Sequence, residues 1–217
     1  MTVAQKQGSD KNLERVHPIH FRRPRVLGNM EKGKKLLVFS LWLLISPCPL
    51  VARERPIDLE QSTITVHVGK SGLFSVAGHE HIVSAPIAAG AINDSEGGHV
   101  WFRVATAKMM VLPEKDQEPV QSTMQGSVLE SARFPEISFA STSIRKIGDR
   151  RWTVIGNLTL HGETRSITVD VDSNGGVYLG ESKIRQTEFG IHPVSGAGGT
   201  VKVKDELKID FRMVVNE

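Results

Sequence analysis

Apolar and polar residues alternate along most of the chain from Arg53 onward, and no long segment there has the period of a helix. The clearest example is ELKIDFRMVV near the C-terminus, where apolar residues at 207, 209, 211 and 213 alternate with charged ones. Such alternation, bounded by Gly, Pro, Asn and Asp, is typical of strands that bury one face. Comparable segments predict about eight strands between residues 57 and 217.

Turn residues join these segments into predicted hairpins. Gly148-Asp149 separates EISFASTSI from RWTVIGNLTL, and Asn174-Gly175-Gly176 separates SITVDVD from VYLGESKIRQ. Asn-Gly pairs between alternating segments are strong hairpin signals. The segment from 119 to 135 instead has apolar residues at helical spacing, which predicts one short helix. The predicted fold is all-β, a barrel or sandwich of mostly antiparallel strands in a single domain at 57–217.

The first 52 residues differ from the rest. Of the chain's 27 basic and 24 acidic residues, 9 and 3 lie in this part, which leaves 18 and 21 for the remainder. Met30 begins a charged start that leads into an apolar run at 36–45 and ends, after Pro47 and Pro49, at Ala52. This is the layout of a secretory signal.

The apolar run is too short to cross ~30 Å of hydrocarbon as a helix. Residues 1–52 are therefore predicted to be an N-terminal extension and signal peptide, with translation starting at Met30. This predicts export to the periplasm or secretion, without a stable transmembrane anchor. An uncleaved anchor and lipidation of Cys48, the only cysteine, remain as alternatives. The remainder is slightly acidic and has no basic stripe with interleaved aromatics, so no nucleic-acid partner is predicted.

Four motifs are distinctive: FPEISFASTSI at 134–144, RWTVIGNLTLHGETRSITVDV at 151–171, TEFGI at 187–191 and VKVKDELKIDFRMVV at 201–215. Together they resemble the motifs of the YceI-like, polyisoprenoid-binding family. The segment at 151–171 resembles its signature hairpin, the one at 134–144 its aromatic-Pro segment, and the other two its later elements. The resemblance implies a lipocalin-like, eight-stranded antiparallel barrel whose apolar tunnel holds an isoprenoid or similar lipid. It also implies export to the periplasm.

Two segments depart from the family's pattern. Lys70 stands near the position of the family's lone histidine, and His79-Glu80-His81 follows later. The family's Arg-Asp-x-x-Leu element is replaced by VQSTMQGSVLES at 120–131. Both segments are expected near the polar end of the ligand. The fold therefore carries over more fully than the ligand's identity.

The predicted ligand site consists of apolar residues that alternation points inward. On the strands these are Phe102, Val104, Phe139, Val154, Leu158, Ile167, Val169, Ile209 and Phe211. Met110, Met124 and Leu129 are expected along one side, since methionine adapts to irregular apolar partners. Phe74 and Val76 are expected to form an apolar lip, and Phe189 to lie near the end of the barrel. A filled core would have the same composition, so both interpretations stay open.

His79 and His81 share one face of a predicted strand, with roots ~6–7 Å apart. Imidazoles at that spacing suit one Zn²⁺ or Cu²⁺ ion. A third ligand would have to come from His67, His161 or His192, which are distant in sequence. The alternative is that His79 and His81 form a polar rim for the head of the ligand.

No nucleophile elbow, P-loop or HExxH motif is present. We therefore predict a binding protein, with no catalytic residues and no cofactor other than its bound lipid. Two alternatives remain: a metal- or redox-linked stress protein that uses His79 and His81, and an enzyme that acts on a bound isoprenoid. A dimer is compatible with the sequence, which leaves the oligomeric state open.

Overall fold

The alternating segments form antiparallel strands, as their two-residue period predicts. A computed structural model describes residues 53–71, 80–95, 97–196 and 201–216. Its strands are β1 Arg55–Pro56, β2 Thr63–Ser71, β3 His81–Ser84, β4 Ile87–Ile92, β5 Val100–Ala105, β6 Met110–Val111, β7 Glu136–Lys146, β8 Arg151–Leu160, β9 Glu163–Asn174, β10 Val177–Arg185, β11 Ser195–Gly196 and β12 Val201–Val214. The predicted signal segment, residues 1–52, lies outside the described residues.

The strands form one curled sheet that closes through a bent strand. Neighbouring strands pair in the order β4-β5-β7-β8-β9-β10-β12-β2-β3. The two ends of this path, β3 and β4, are consecutive in the chain and separated only by Ala85 and Pro86. Proline has no N–H for a ladder, so the strand bends and changes its partner there. With 81–92 counted once, eight long strands surround the interior, which confirms the predicted eight-stranded antiparallel barrel.

The short strand β1 fills the gap that the bend leaves at one end of the barrel. Arg55–Pro56 pairs with β4, and Ile57 then bridges to Val215 beyond β12. The Ile57 N–H donates to Gly90 O at 2.9 Å, and the Asp58 N–H donates to Val214 O at 2.8 Å. The start of the domain is therefore held by strands from both its beginning and its end.

The predicted hairpins are confirmed. Strands β7 and β8 are joined by residues 147–150, and β9 and β10 by Gly175-Gly176. The two glycines have φ angles of +56° and +78°, which only glycine adopts readily.

The predicted short helix is also present. Helix α1 spans Gln117–Thr123 and continues as a π-helical turn over Met124–Val128. Three glutamine side chains tie this helical segment to the backbone beside β6. Gln117 donates to Val111 O at 2.8 Å, Gln121 accepts from Val111 N–H at 2.7 Å, and Gln125 donates to Met109 O at 3.0 Å. Across the described ranges, no helix combines the length and apolarity needed to span a membrane.

Candidate functional site

The interior of the barrel is hollow. It contains a larger cavity of about 380 Å³ and a smaller one of about 110 Å³. Four residues border both cavities, so the two are neighbours along one lumen: Ile64, Phe102, Leu158 and Ile209. Together, the two cavities form the lumen of the barrel. An interior of this size suits one ligand rather than a filled core.

The larger cavity lies between the sheet and the helical segment. Strands β2, β3, β5 and β12 contribute one wall, and the helical segment contributes Pro119, Val120, Thr123, Met124 and Val128, followed by Leu129. Nearly all lining side chains are apolar; the polar ones are His81, Thr123 and Gln186. A helix with no buried position other than Met124 in its 117–128 stretch therefore serves as a cover over an apolar space.

The smaller cavity is shaped by aromatic rings that fold over glycines. Phe139 lies over Gly156, where an added Cβ would come within 2.3 Å of its ring, and Phe211 lies over Gly180 at 2.4 Å. Phe139 also stacks on Phe102, with ring centroids 5.4 Å apart. Since any side chain at either glycine would displace a ring, these glycines fix where the cavity wall stands.

A polar network closes the far end of the smaller cavity. The Tyr178 hydroxyl donates to Asp94 Oδ2 at 2.6 Å, and Arg55 lies 2.9 Å from Asp94 Oδ1 and donates to the tyrosine oxygen at 2.5 Å. Burial, together with the neighbouring Asp94 carboxylate, raises the pKa of Tyr178 to about 12. The tyrosine therefore stays protonated at neutral pH and donates to the carboxylate.

Two histidine–glutamate pairs bracket the helical segment. His81 Nδ1 lies 2.7 Å from Glu114 Oε1, with side chains only 15% and 21% exposed, just before α1. His161 Nε2 lies 3.2 Å from Glu130 Oε1, just after the π-helical turn. Glu130 and His161 both have positive φ angles, 44° and 52°. These pairs fasten the cover to the barrel at each end.

Most predicted site residues that the structure describes line the lumen. Those lining only the larger cavity are His81, Val104, Met124 and Leu129. Those lining only the smaller cavity are Phe139, Val154, Ile167, Val169 and Phe211. Those lining both cavities are Phe102, Leu158 and Ile209.

The other predicted residues lie elsewhere. Phe189 is fully buried but borders neither cavity, so its contact with a ligand stays a prediction. Phe74, Val76 and His79 lie outside the described residues. The prediction for Met110 is wrong: its side chain is 56% exposed, and Met109 lines the larger cavity instead. The 3-10 turn at Thr106–Lys108 shifts the alternation by one residue at this point.

Sequence reasoning also missed several lining residues. Ile64, Val66 and Val68 alternate inward on β2, and this alternation was a usable signal. The sequence contains no comparable signal for Asp94 and Tyr178, because their contact joins residues 84 positions apart.

The described residues contain no group of three or more His, Cys, Asp or Glu side chains that could hold a metal ion. His67, one of the predicted third ligands, contacts Asp210 at 2.9 Å and Glu80 at 3.7 Å on the outer face of the sheet. His161 is paired with Glu130. Since His79 lies outside the described residues, metal binding by His79 and His81 stays a prediction.

An antiparallel barrel with a hollow apolar lumen and a helical cover belongs to the class of small β-barrels that can enclose one apolar ligand. The family model for the YceI-like domain matches residues 56–215. The chain therefore belongs to the YceI-like family, as its motifs predicted.

Curated relatives match over a shorter part. A UPF0312 protein from Pseudomonas savastanoi pv. phaseolicola is 35% identical over 96 residues, which cover 40% of this chain and 48% of the relative. A UPF0312 protein from Yersinia pestis is 39% identical over 85 residues, 36% of this chain and 37% of the relative. The matched region thus spans about half the length of these relatives or less.

Two solved structures share the fold. BcnA from Burkholderia cenocepacia superposes with a TM-score of 0.54 at 20% identity, covering 74% of this chain and 99% of that one. A polyisoprenoid binding domain from Saccharophagus degradans superposes with a TM-score of 0.54 at 12% identity, covering 74% and 97%. At these identities the likeness concerns the fold.

Proposed function

We propose that this protein binds an isoprenoid or similar amphiphilic lipid by burying its apolar chain in the lumen, and that it carries or sequesters this lipid without catalysing a reaction. The observation that carries the proposal is the hollow, almost wholly apolar interior, with cavities of about 380 and 110 Å³ in line. Family membership supports it, as does the shared fold with a polyisoprenoid binding domain.

The lumen offers the energy that such binding needs. Each buried CH₂ contributes ~0.8 kcal/mol, and the walls present few polar groups that a hydrocarbon chain would leave unsatisfied. Losses of translational and conformational freedom oppose this gain. A chain of about 20 carbons gains enough from burial to exceed those losses.

The direct test is to extract the purified protein with organic solvent and identify released lipids by mass spectrometry. The delipidated protein is then titrated with geranylgeraniol, an uncharged C20 isoprenoid. We expect a co-purifying apolar lipid and saturable binding of the alcohol. Absence of both would refute the proposal.

A matched pair of variants tests whether the lumen is the site. Leu158→Trp adds bulk to the wall that both cavities share, whereas Ile155→Trp adds it to an exposed position of the same strand. We expect Leu158→Trp to weaken geranylgeraniol binding by about tenfold or more, while Ile155→Trp binds like the wild type. Thermal unfolding of both variants checks that they remain folded.

We also propose that the protein acts in the periplasm or outside the cell, because residues 30–52 have the layout of a secretory signal. Fractionation of bacteria that express the full chain, or a chain starting at Arg53, tests this. The full chain should appear in the periplasm or medium and the shortened chain should stay in the cytoplasm. Equal distribution of the two would contradict export by this segment.

A further inference from the structure

We infer that the lumen takes a lipid with an anionic head, a phosphate or a carboxylate, and that Lys70 binds this head at one end of the larger cavity. The inference rests on the proposed function and adds the chemical class of the ligand and its orientation. The relevant end of the cavity, called here its upper end, is formed by Val68, His81, Val194 and Val203.

Strand register places Lys70 on the inner face of the barrel. Ile64, Val66 and Val68 of β2 line the larger cavity, and Lys70 is the next residue of the same parity. Across the ladder, Lys70 pairs with Val203, which also lines that cavity. Directly opposed residues of two strands lie on the same face of the sheet, so Lys70 points inward.

The outer face of the same strands is occupied by a different lysine. A Cβ on Gly69 would lie 3.0 Å from Cδ of Lys204, so the Lys204 side chain crosses the outer face of β2 at this position. Lys202 pairs with Ser71 and is exposed, so it also belongs to the outer face. Lys70 therefore differs in direction from the lysines that flank it across the ladder.

The charge of Lys70 is not neutralised within the described part of the chain, where none of the ion pairs involves it. The Glu114 carboxylate is engaged by His81, a residue of this end of the cavity, at 2.7 Å. Glu80 contacts His67 on the outer face. Lys70 as a whole is half-buried, and its neighbours Val68 and Val203 line the cavity. An unpaired ammonium group next to an apolar cavity favours an anion.

At the opposite end of the lumen, the Arg55 guanidinium is already paired with Asp94 at 2.9 Å and bonded to Tyr178. The two ends therefore orient the ligand, with its head at Lys70 and its apolar chain directed past Leu158 toward the smaller cavity. Lysine binds phosphate and carboxylate as a compact point charge with three donors.

The test compares matched C20 probes on delipidated protein: geranylgeranyl phosphate, geranylgeranoic acid and geranylgeraniol, with inorganic phosphate as a separate arm. We expect each anionic lipid to bind about tenfold more tightly than the alcohol, since charge-assisted contacts exceed neutral ones by that order. Lys70→Met should bring the ratio of the affinities for the anionic lipids and for the alcohol down to about one. Lys70→Arg should retain the preference.

Lys202→Met is the control, because it removes a lysine from the outer face of the adjacent strand. It should keep the preference for anionic lipids. Equal affinity of the wild type for acid, phosphate and alcohol would overturn the inference while leaving lipid binding intact. A preference that survives in Lys70→Met, or inorganic phosphate binding as tightly as the lipid phosphate, would also overturn it. If no C20 probe binds, the proposed function fails as well.

Discussion

At the scale of single residues, the Tyr178 side chain is buried and held by two charged partners. It is the only tyrosine of the chain, it is 6% exposed, and its hydroxyl lies between Asp94 and Arg55. Burial and the carboxylate both favour the neutral phenol, which is why its pKa is raised to about 12.

Because no other tyrosine interferes, the ionisation of Tyr178 can be followed by its ultraviolet absorbance. We expect a midpoint near 12 in the folded protein, against the ordinary value of 10.0 after unfolding in denaturant. Above pH 10 the unfolded chain loses a proton that the folded chain keeps, so this group's contribution to stability falls as pH rises from about 10 toward 12.

Tyr178→Phe provides the baseline for that titration. It should abolish the absorbance change and flatten the pH dependence of the unfolding free energy above pH 10. A midpoint near 10 in the folded wild-type protein would show that the hydroxyl is not buried and does not donate to the Asp94 carboxylate.

Residue parity explains both the success and the failure of the sequence prediction at the site. Where strands are regular, as on β12 with Leu207, Ile209 and Phe211, every second residue faces the lumen and the sequence identifies it. Before Met109 and Met110, a 3-10 turn changes which of two successive residues faces inward. Alternation continued from β5 therefore selects Met110, although Met109 is the buried residue. Such a turn depends on backbone contacts that the apolar pattern does not encode.

At the scale of elements, the helical segment covers the larger cavity while burying little of itself. Its attachment is polar: glutamine side chains satisfy backbone groups beside β6, and His81 and His161 bond to carboxylates at either end. A cover held by a few directed bonds can loosen locally without loss of the barrel.

Replacing Gln121 with alanine should loosen this cover. Its side chain accepts from Val111 N–H at 2.7 Å and donates to Met109 O at 2.9 Å. Loss of these bonds is expected to reduce local stability by ~1–3 kcal/mol. Hydrogen exchange should then quicken at Val111 and within 117–128.

Ser122→Ala is the matched control, since Ser122 is the exposed neighbour on the same helix. It should leave exchange unchanged, and β8 and β9 should stay protected in both variants. If Gln121→Ala exchanges like the control, the glutamine contacts do not hold the cover.

The elements themselves were largely predictable, because strands and hairpin turns follow local rules of period and backbone conformation. The way in which the sheet closes was harder to predict from the sequence. It depends on Pro86, which bends one predicted strand so that its halves pair with β2 and β5. The π-helical turn at Met124–Val128 likewise has no signal in the apolar spacing, which fits a regular helix.

At the scale of the whole molecule, the lumen has two chemically different ends. Arg55, Asp94 and Tyr178 close one end with charges that satisfy each other, whereas Lys70 stands at the other by register. The apolar walls could be predicted from the sequence, but the closed end could not, because Arg55 and Tyr178 are 123 positions apart. Long-range contacts of this kind depend on how the strands are ordered around the barrel.

The pairing of β2 with β12 has a consequence for how the chain is made. One edge of the first long strand, β2, pairs with the nearby β3, but its other edge pairs with residues 202–212, and Ser62 bonds to Val214. A ribosome synthesises these partners last, so the barrel cannot complete its ring while its C-terminal strand is still inside the exit tunnel. Closure of the barrel therefore follows synthesis of β12, and until then one edge of β2 lacks the partner that it has in the folded protein.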